Sequence, residues 1–171
     1  MLNFYRDQAL LQRFLHNIII STTLLGLPAQ AKIKVSQQQR AATKVVEDYF
    51  IALNENDLHN LISLFHEHAV EMLDEQQELL GHKNIKLNFE NLLQNIKHKA
   101  ILKHSFTRIN GNIAIVESET QMKLKILETG VEIPTLDKDL FILKRIDGDW
   151  KIDKHICNGN SCYLDDTQAI G

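Results

Sequence analysis

The sequence predicts an α+β fold, in which three N-terminal helices pack in a strongly curved, mostly antiparallel sheet. Before Lys99, apolar side chains recur at intervals of three and four residues, which is the period of a helix. From Lys99 onward the period changes to two, which is typical of strands. The chain is 171 residues long, 44% apolar and 24% charged, a balance that suits one soluble globular domain.

The first helix is predicted over residues 36–54. Ser36 and Gln39 resemble a capping box at its start, and a polar stretch ends it. Asp57 is a good N-cap for a short second helix. Gly81 then precedes a third helical stripe of apolar residues.

Extended segments follow, and most of them are separated by turn signals that contain glycine. Asn-Gly-Asn, Glu-Thr-Gly and Asp-Gly-Asp break the alternation at three places, which predicts hairpins. One face of the resulting antiparallel sheet should meet the helices. The predicted strands are residues 69–73, 101–109, 113–126, 136–146 and 150–156.

The N-terminus has the plan of a secretory signal peptide. Arg6 and Arg13 precede an uncharged apolar run at residues 18–27, and a small-x-small site ends at Ala31. The run is too short for a permanent membrane anchor, so we expect cleavage after Ala31 and a periplasmic or secreted protein. An amphipathic helix that docks on the core is the alternative. The expected division is a signal peptide at 1–31, a linker at 32–39, a domain at 40–160 and a tail at 161–171.

Cys157 and Cys162 flank an Asn-Gly turn, which in an exported protein predicts a local disulfide. Two free thiols in a cytosolic protein are the alternative. No metal site is expected, because His66 and His68 fall where the second helix should end and the helix dipole favours histidine there. The sequence has no Walker loop and no dinucleotide-binding glycine-rich turn, and no cofactor is expected. A net charge of −3 gives no basic footprint for nucleic acid.

Four stretches of sequence, in their order, resemble the nuclear-transport-factor-2-like (NTF2-like) superfamily, which includes SnoaL-like polyketide cyclases and steroid delta-isomerases. The resemblance spans about residues 40–157 and implies the NTF2-like, cystatin-like cone. It also implies a homodimer formed through the sheet. The stretches are residues 45–73, GHKNI at 81–85, NIAIV at 112–116 and LFILKRIDGDWKI at 140–152.

The same resemblance suggests catalytic residues. Tyr49 stands where the isomerases place an oxyanion-donating tyrosine, although an aromatic on the buried side of a helix is more often core. Asp74 lies one or two residues beyond the position of their general base, and their second oxyanion donor corresponds to Ile142, which is apolar. Further residues expected to line a pocket are Phe50, Met72, His104 and Glu119.

Three functions remain open at this point. The first is an exported SnoaL-like domain that binds a small apolar ligand or acts as an accessory module. The second is an isomerase or lyase-type enzyme that uses Tyr49 and Asp74. The third is a non-catalytic dimeric interaction protein whose cone is filled by side chains, since a filled cone cannot hold a substrate.

Overall fold

The structure, a computed structural model, describes residues 29–73 and 78–157. Most of the expected signal peptide, Asp74, Cys162 and the tail lie outside the described residues, so export and the disulfide stay predictions. The residues from Gln38 onward belong to one compact unit, to which all the contacts given below belong. No helix within the described ranges is long and apolar enough to cross a membrane.

Three helices come first in the described chain: α1 (Ala29–Glu55), α2 (Leu58–Ser63) and α3 (Gly81–Asn95). α1 begins before the predicted capping box, so residues 32–39 are helical where the sequence predicts a linker. Asn56 adopts a left-handed conformation (φ 59°) that ends α1. The Asp57 carboxylate then accepts a hydrogen bond from the Asn60 N–H at 3.0 Å, which caps α2 as predicted.

The six described strands form one sheet in the order β2-β1-β6-β5-β4-β3. Only the β1–β6 pair is parallel; the other neighbours are antiparallel, so the predicted α+β class and mostly antiparallel sheet are confirmed. His66 and His68 lie on the first strand rather than at a helix end, because α2 stops at Ser63. The strands are β1 (Phe65–Leu73), β2 (Leu79–Leu80), β3 (Ile96–Asn110), β4 (Ile113–Ile126), β5 (Glu132–Ile146) and β6 (Asp149–Cys157).

Burial alternates along the strands and defines an inner face, which packs against the helices, and an outer face. The Asn54 side chain of α1 joins the inner face by two hydrogen bonds to the backbone of Ala100, at 2.9 and 2.6 Å. The core contains aromatic and aliphatic residues from all three helices and from five of the strands. Its fully buried members include Val46, Leu61, Phe65, Ile85, Val116, Leu124, Phe141, Leu143 and Ile152.

Two bulges change which residues face inward. In β3, Leu102 pairs with Thr120 but His104 pairs with Glu119, so one extra residue lies between them. In β6, an extra residue likewise separates Ile152 from Lys154 opposite β5. Beyond each bulge, the alternation of inner and outer residues is reversed.

Candidate functional site

Four ionisable side chains are buried together on the inner face of the sheet. Glu71 comes from β1, Asp137 and Asp139 from β5, and His155 from β6, and none is more than 6% exposed. Charged residues are rarely buried this deeply unless they are paired or functional. We call these four residues the acidic cluster, because three of them carry carboxyl groups.

His155 lies between two of the carboxylates. Its Nδ1 is 3.3 Å from Glu71 Oε1, and its Nε2 is 3.7 Å from Asp139 Oδ1. The second distance is an ion-pair contact rather than a hydrogen bond. The imidazole also stacks on the Phe141 ring, with centroids 4.3 Å apart and planes 10° apart, which fixes its orientation.

The protonation of His155 follows from this setting. Burial alone would lower its pKa, because the charged ring loses its hydration. The carboxylates of Asp139 and Glu71 outweigh that effect and raise the pKa of His155 to about 9. His155 is therefore an imidazolium at neutral pH, the one cation of the acidic cluster.

Tyr49 of α1 adjoins the acidic cluster from the helix side. Its ring is 5% exposed and makes edge contacts with several aromatic rings, among them Phe141 at 5.2 Å and His155 at 5.2 Å. Burial, and then the charge of Glu71 and the two aspartates, raise the pKa of Tyr49 well above its usual value. Tyr49 is thus a neutral phenol, which can donate a hydrogen bond in the interior.

Several polar atoms around the acidic cluster have no hydrogen-bond partner among the described residues. They include Glu71 Oε2, Ser118 Oγ and Thr120 Oγ1. In register, Ser118 lies opposite Asp139 and Thr120 lies opposite Asp137, so the hydroxyls and carboxylates occupy neighbouring places on the inner face. A buried polar atom without a partner costs about 1–3 kcal/mol, which a bound polar group would offset.

The arrangement has a defined chemical capacity. Carboxylate oxygens accept hydrogen bonds, hydroxyls donate or accept them, and the phenol and imidazolium donate. A neutral phenol, an imidazolium and buried carboxylates also form a set of groups that can move protons. No group of three or more potential metal ligands is found within residues 29–73 and 78–157.

The residues predicted for the site divide between the two faces of the sheet. Tyr49 and Phe50 are buried in the core and their rings touch, with centroids 5.1 Å apart. Met72 is half-buried on β1. His104 and Glu119 lie directly opposite each other on the outer face, and the groove of about 380 Å³ that they line also reaches Ser118 and Asp139. These two residues are therefore separated by the sheet from Tyr49.

The sequence reasoning missed the acidic cluster. On β5, Asp137 and Asp139 share the parity of buried Phe141 and Leu143, so that alternation was a usable signal. Glu71 shares the parity of Ala69 in the same way. No such signal existed for His155 and His104.

The parity of a strand fails where the strand bulges. Trp150 and Ile152 of β6 face inward, so strict alternation would place residue 155 on the outer face, but the bulge turns His155 inward. Counted from Ala100, position 104 of β3 should face inward, but the bulge turns His104 outward.

Comparison with known proteins gives a family and a fold. The model of a family described as "putative lumazine-binding" matches residues 37–155. Among curated proteins, none matches.

Solved structures share the fold at low sequence identity. A ketosteroid isomerase-like protein from Erwinia carotovora atroseptica is 17% identical, with a TM-score of 0.65 over 72% of this chain and 96% of its own. A "putative dehydratase" of the NTF2-like family from Streptomyces avermitilis is 13% identical, with a TM-score of 0.65 over 71% of this chain and 95% of its own. An NTF2-like protein with a cystatin-like fold from Novosphingobium aromaticivorans is 11% identical, with a TM-score of 0.63 over 75% and 85%. The expected NTF2-like, cystatin-like fold is confirmed.

Proposed function

The chain belongs to the family described as "putative lumazine-binding", and from this premise we propose that it binds a flat, nitrogen-rich aromatic molecule of the lumazine class inside its cone. The single observation that supports the proposal is the set of unpartnered buried polar atoms beside the acidic cluster. These atoms need hydrogen-bond partners, and a heteroaromatic ring edge supplies N–H donors and carbonyl acceptors in one plane.

The polar side chains of the site can pair with both the donors and the acceptors of such a ring edge. Glu71 Oε2 has no partner among the described residues and is oriented by the contact of Glu71 Oε1 with His155, so it can accept from a ring N–H. The hydroxyls of Ser118 and Thr120 can donate to ring carbonyls or ring nitrogens. These polar side chains favour a heterocyclic ligand over the purely apolar ligand that the sequence predicts.

The neighbouring rings fit the aromatic face of the same ligand. Tyr49, Phe141 and His155 form a set of mutually touching rings at the edge of the acidic cluster. Aromatic side chains bind flat ligands by stacked or edge contacts that add to the area they bury.

The test is equilibrium binding of lumazine to the purified protein, followed by the fluorescence of the ligand and by calorimetry. Ser118→Ala and Thr120→Val each remove a hydroxyl that lacks a partner, so neither should unfold the empty protein. Each should weaken binding by about 5- to 10-fold, because a hydrogen bond to a neutral group contributes roughly 1 kcal/mol.

The matched control is His104→Gln, which should leave the affinity unchanged because the His104 side chain is exposed on the outer face, whereas those of Ser118 and Thr120 are buried on the inner face. If lumazine does not bind the wild-type protein, or if all three variants bind it equally, the proposal is wrong. Absence of binding would favour an interaction protein with a filled cone.

A second candidate, an isomerase or lyase-type enzyme, is favoured by Tyr49. Its phenol stays neutral beside buried carboxylates, which is the state required of an oxyanion donor. For the general base of such an enzyme we propose Asp139 on the inner face as a second candidate beside Asp74. Tyr49→Phe should then lower turnover of a carbonyl substrate and leave lumazine binding measurable, whereas unchanged turnover would refute the role of Tyr49.

We also propose a homodimer through the outer face. Large apolar side chains are exposed there along β3, β4 and β5, including Phe106 at 51% and Ile113 at 49%. Unpartnered apolar sheet surface of this kind favours association. Sedimentation of the full chain should show a dimer that Phe106→Glu dissociates; a monomeric wild-type protein would refute the proposal.

Export and the Cys157–Cys162 disulfide are part of the same proposal. Mass spectrometry of the protein recovered from a bacterial periplasm without reductant should find a chain that starts at Lys32. Its mass should be two hydrogens lower than that of the reduced chain. An intact chain with two free thiols would refute both.

A further inference from the structure

Four lysines are grouped at one end of the outer face, where β3 and β4 meet the β4–β5 turn. Lys97 lies directly opposite Lys125, and Lys99 lies directly opposite Lys123. All four are exposed. We call Lys97, Lys99, Lys123 and Lys125 the lysine patch.

This placement works against the stability of the sheet. Like charges directly opposite each other on neighbouring strands repel and are destabilising. Among the residues that the structure describes, Lys123 forms an ion pair with Glu132, with Nζ and Oε2 2.9 Å apart. The lysines lower the pKa of Glu132, first through the hydrogen bond from Lys123 and then through the charges of Lys123, Lys125 and Lys99.

The lysine patch is positive although the chain is acidic. The formal charge of the whole chain is −3. Glu132 and Glu128 are the acidic residues of the adjoining turn and strand end. With four lysines against these two carboxylates, the region keeps a local excess of positive charge.

An exposed apolar tip adjoins the lysine patch. Ile96 pairs with Ile126 beside the Lys97–Lys125 pair, and the chain then turns through residues 127–131. Leu127 and Val131 in this turn are each 50% exposed. Two apolar side chains therefore project at the same end of the sheet as the lysines.

We propose that this end of the molecule docks on an anionic phospholipid surface. Lysines near such a surface are attracted to its headgroups, and exposed aliphatic side chains gain by entering the interface. A soluble polyanion would match the lysines and give no role to Leu127 and Val131. The docking is peripheral and is independent of any ligand inside the cone.

The test is co-sedimentation of the full chain with vesicles of phosphatidylglycerol and phosphatidylcholine, against vesicles of phosphatidylcholine alone. The protein should bind the anionic vesicles and be released by added salt, since the attraction is screened. Lys97→Gln with Lys125→Gln should weaken binding about 30-fold, because each lysine contributes roughly 1 kcal/mol and 1.4 kcal/mol is tenfold. This double variant removes a repulsive pair, so it should fold at least as well as the wild type.

The matched control is Lys138→Gln with Lys144→Gln, which removes the same charge from exposed positions of β5 outside the lysine patch and should bind nearly as wild type. Glu128→Gln should tighten binding, and Leu127→Ser with Val131→Ser should weaken it without changing the dependence on salt. Equal binding to neutral vesicles, equal loss in both lysine variants, or binding to heparin without binding to vesicles would each overturn the proposal.

Discussion

Replacing His155 by glutamine should remove a pH-dependent part of the free energy of unfolding. In the folded protein, burial lowers the pKa of His155, but the opposing effect of Asp139 and Glu71 is larger and brings the pKa to about 9. In the unfolded chain the pKa returns to 6.5, the ordinary value of histidine. At about 1.4 kcal/mol per pH unit, the interval between these values corresponds to about 3 kcal/mol.

The sign follows from the direction of the change. Between pH 6.5 and 9 the folded protein holds a proton on His155 that the unfolded chain lacks, so unfolding releases a proton. The stabilisation is fully present below pH 6.5 and is lost as the pH rises through 9. Glutamine cannot carry this proton, so the variant lacks that part of the dependence.

The measurement is urea unfolding of the wild type and of His155→Gln, at several values between pH 6 and 9.5. The difference between their free energies of unfolding should shrink by about 3 kcal/mol over this range. In parallel, the NMR signal of the His155 ring should titrate near pH 9. His98, whose pKa is lowered by burial to about 4, should stay neutral throughout.

His104→Gln provides the control, because it makes the same substitution at an exposed histidine. This variant keeps His155, so it should keep the part of the pH dependence that His155 supplies. If His155→Gln keeps the pH dependence of the wild type, or if the His155 signal titrates below pH 7, the imidazolium between two carboxylates is not present and the reasoning fails.

Four other substitutions test the interior and the turns. Thr120→Val should raise the free energy of unfolding by about 1 kcal/mol, because the buried hydroxyl of Thr120 has no partner among the described residues. Thr135→Val should lower the free energy of unfolding, because the hydroxyl of Thr135 donates to the Asp137 carboxylate at 3.4 Å. Equal effects of the two variants in urea unfolding would contradict this reasoning. Asn54→Ala should lower the free energy of unfolding by about 1–3 kcal/mol, since it removes both hydrogen bonds to the Ala100 backbone. An unchanged midpoint of urea unfolding would argue against these hydrogen bonds. Gly81→Ala should lower the free energy of unfolding by about 1 kcal/mol, because the φ of Gly81 is +76° and a Cβ would lie 3.3 Å from the backbone oxygen of Glu67. A thermal unfolding midpoint equal to that of the wild type would refute this strain.

The sequence determined the order of the elements because their signals are local. The carboxylate of Asp57 caps α2 through an atom three residues away. Gly148 has a positive φ of 99° in the turn between β5 and β6, where glycine is favoured. The alternation of apolar residues similarly predicted that β4 spans Ile113–Ile126.

Part of the acidic cluster was also readable from the sequence. Asp137 and Asp139 continue the buried parity of Phe141 along one strand, which requires no knowledge of the neighbouring strands. What the strand alone does not show is that Glu71, far away in the chain, lies beside them, since that follows from the parallel pairing of β1 with β6.

The tertiary structure alone decided that His155, and not His104, joins the interior. Both His104 and His155 lie beyond a bulge, and each bulge is set by how two strands pair rather than by the residues of one strand. Because successive side chains of a strand point to opposite faces, a single extra residue exchanges inside for outside. His155 therefore meets Glu71 and Asp139 in the interior, and His104 meets Glu119 on the outer face.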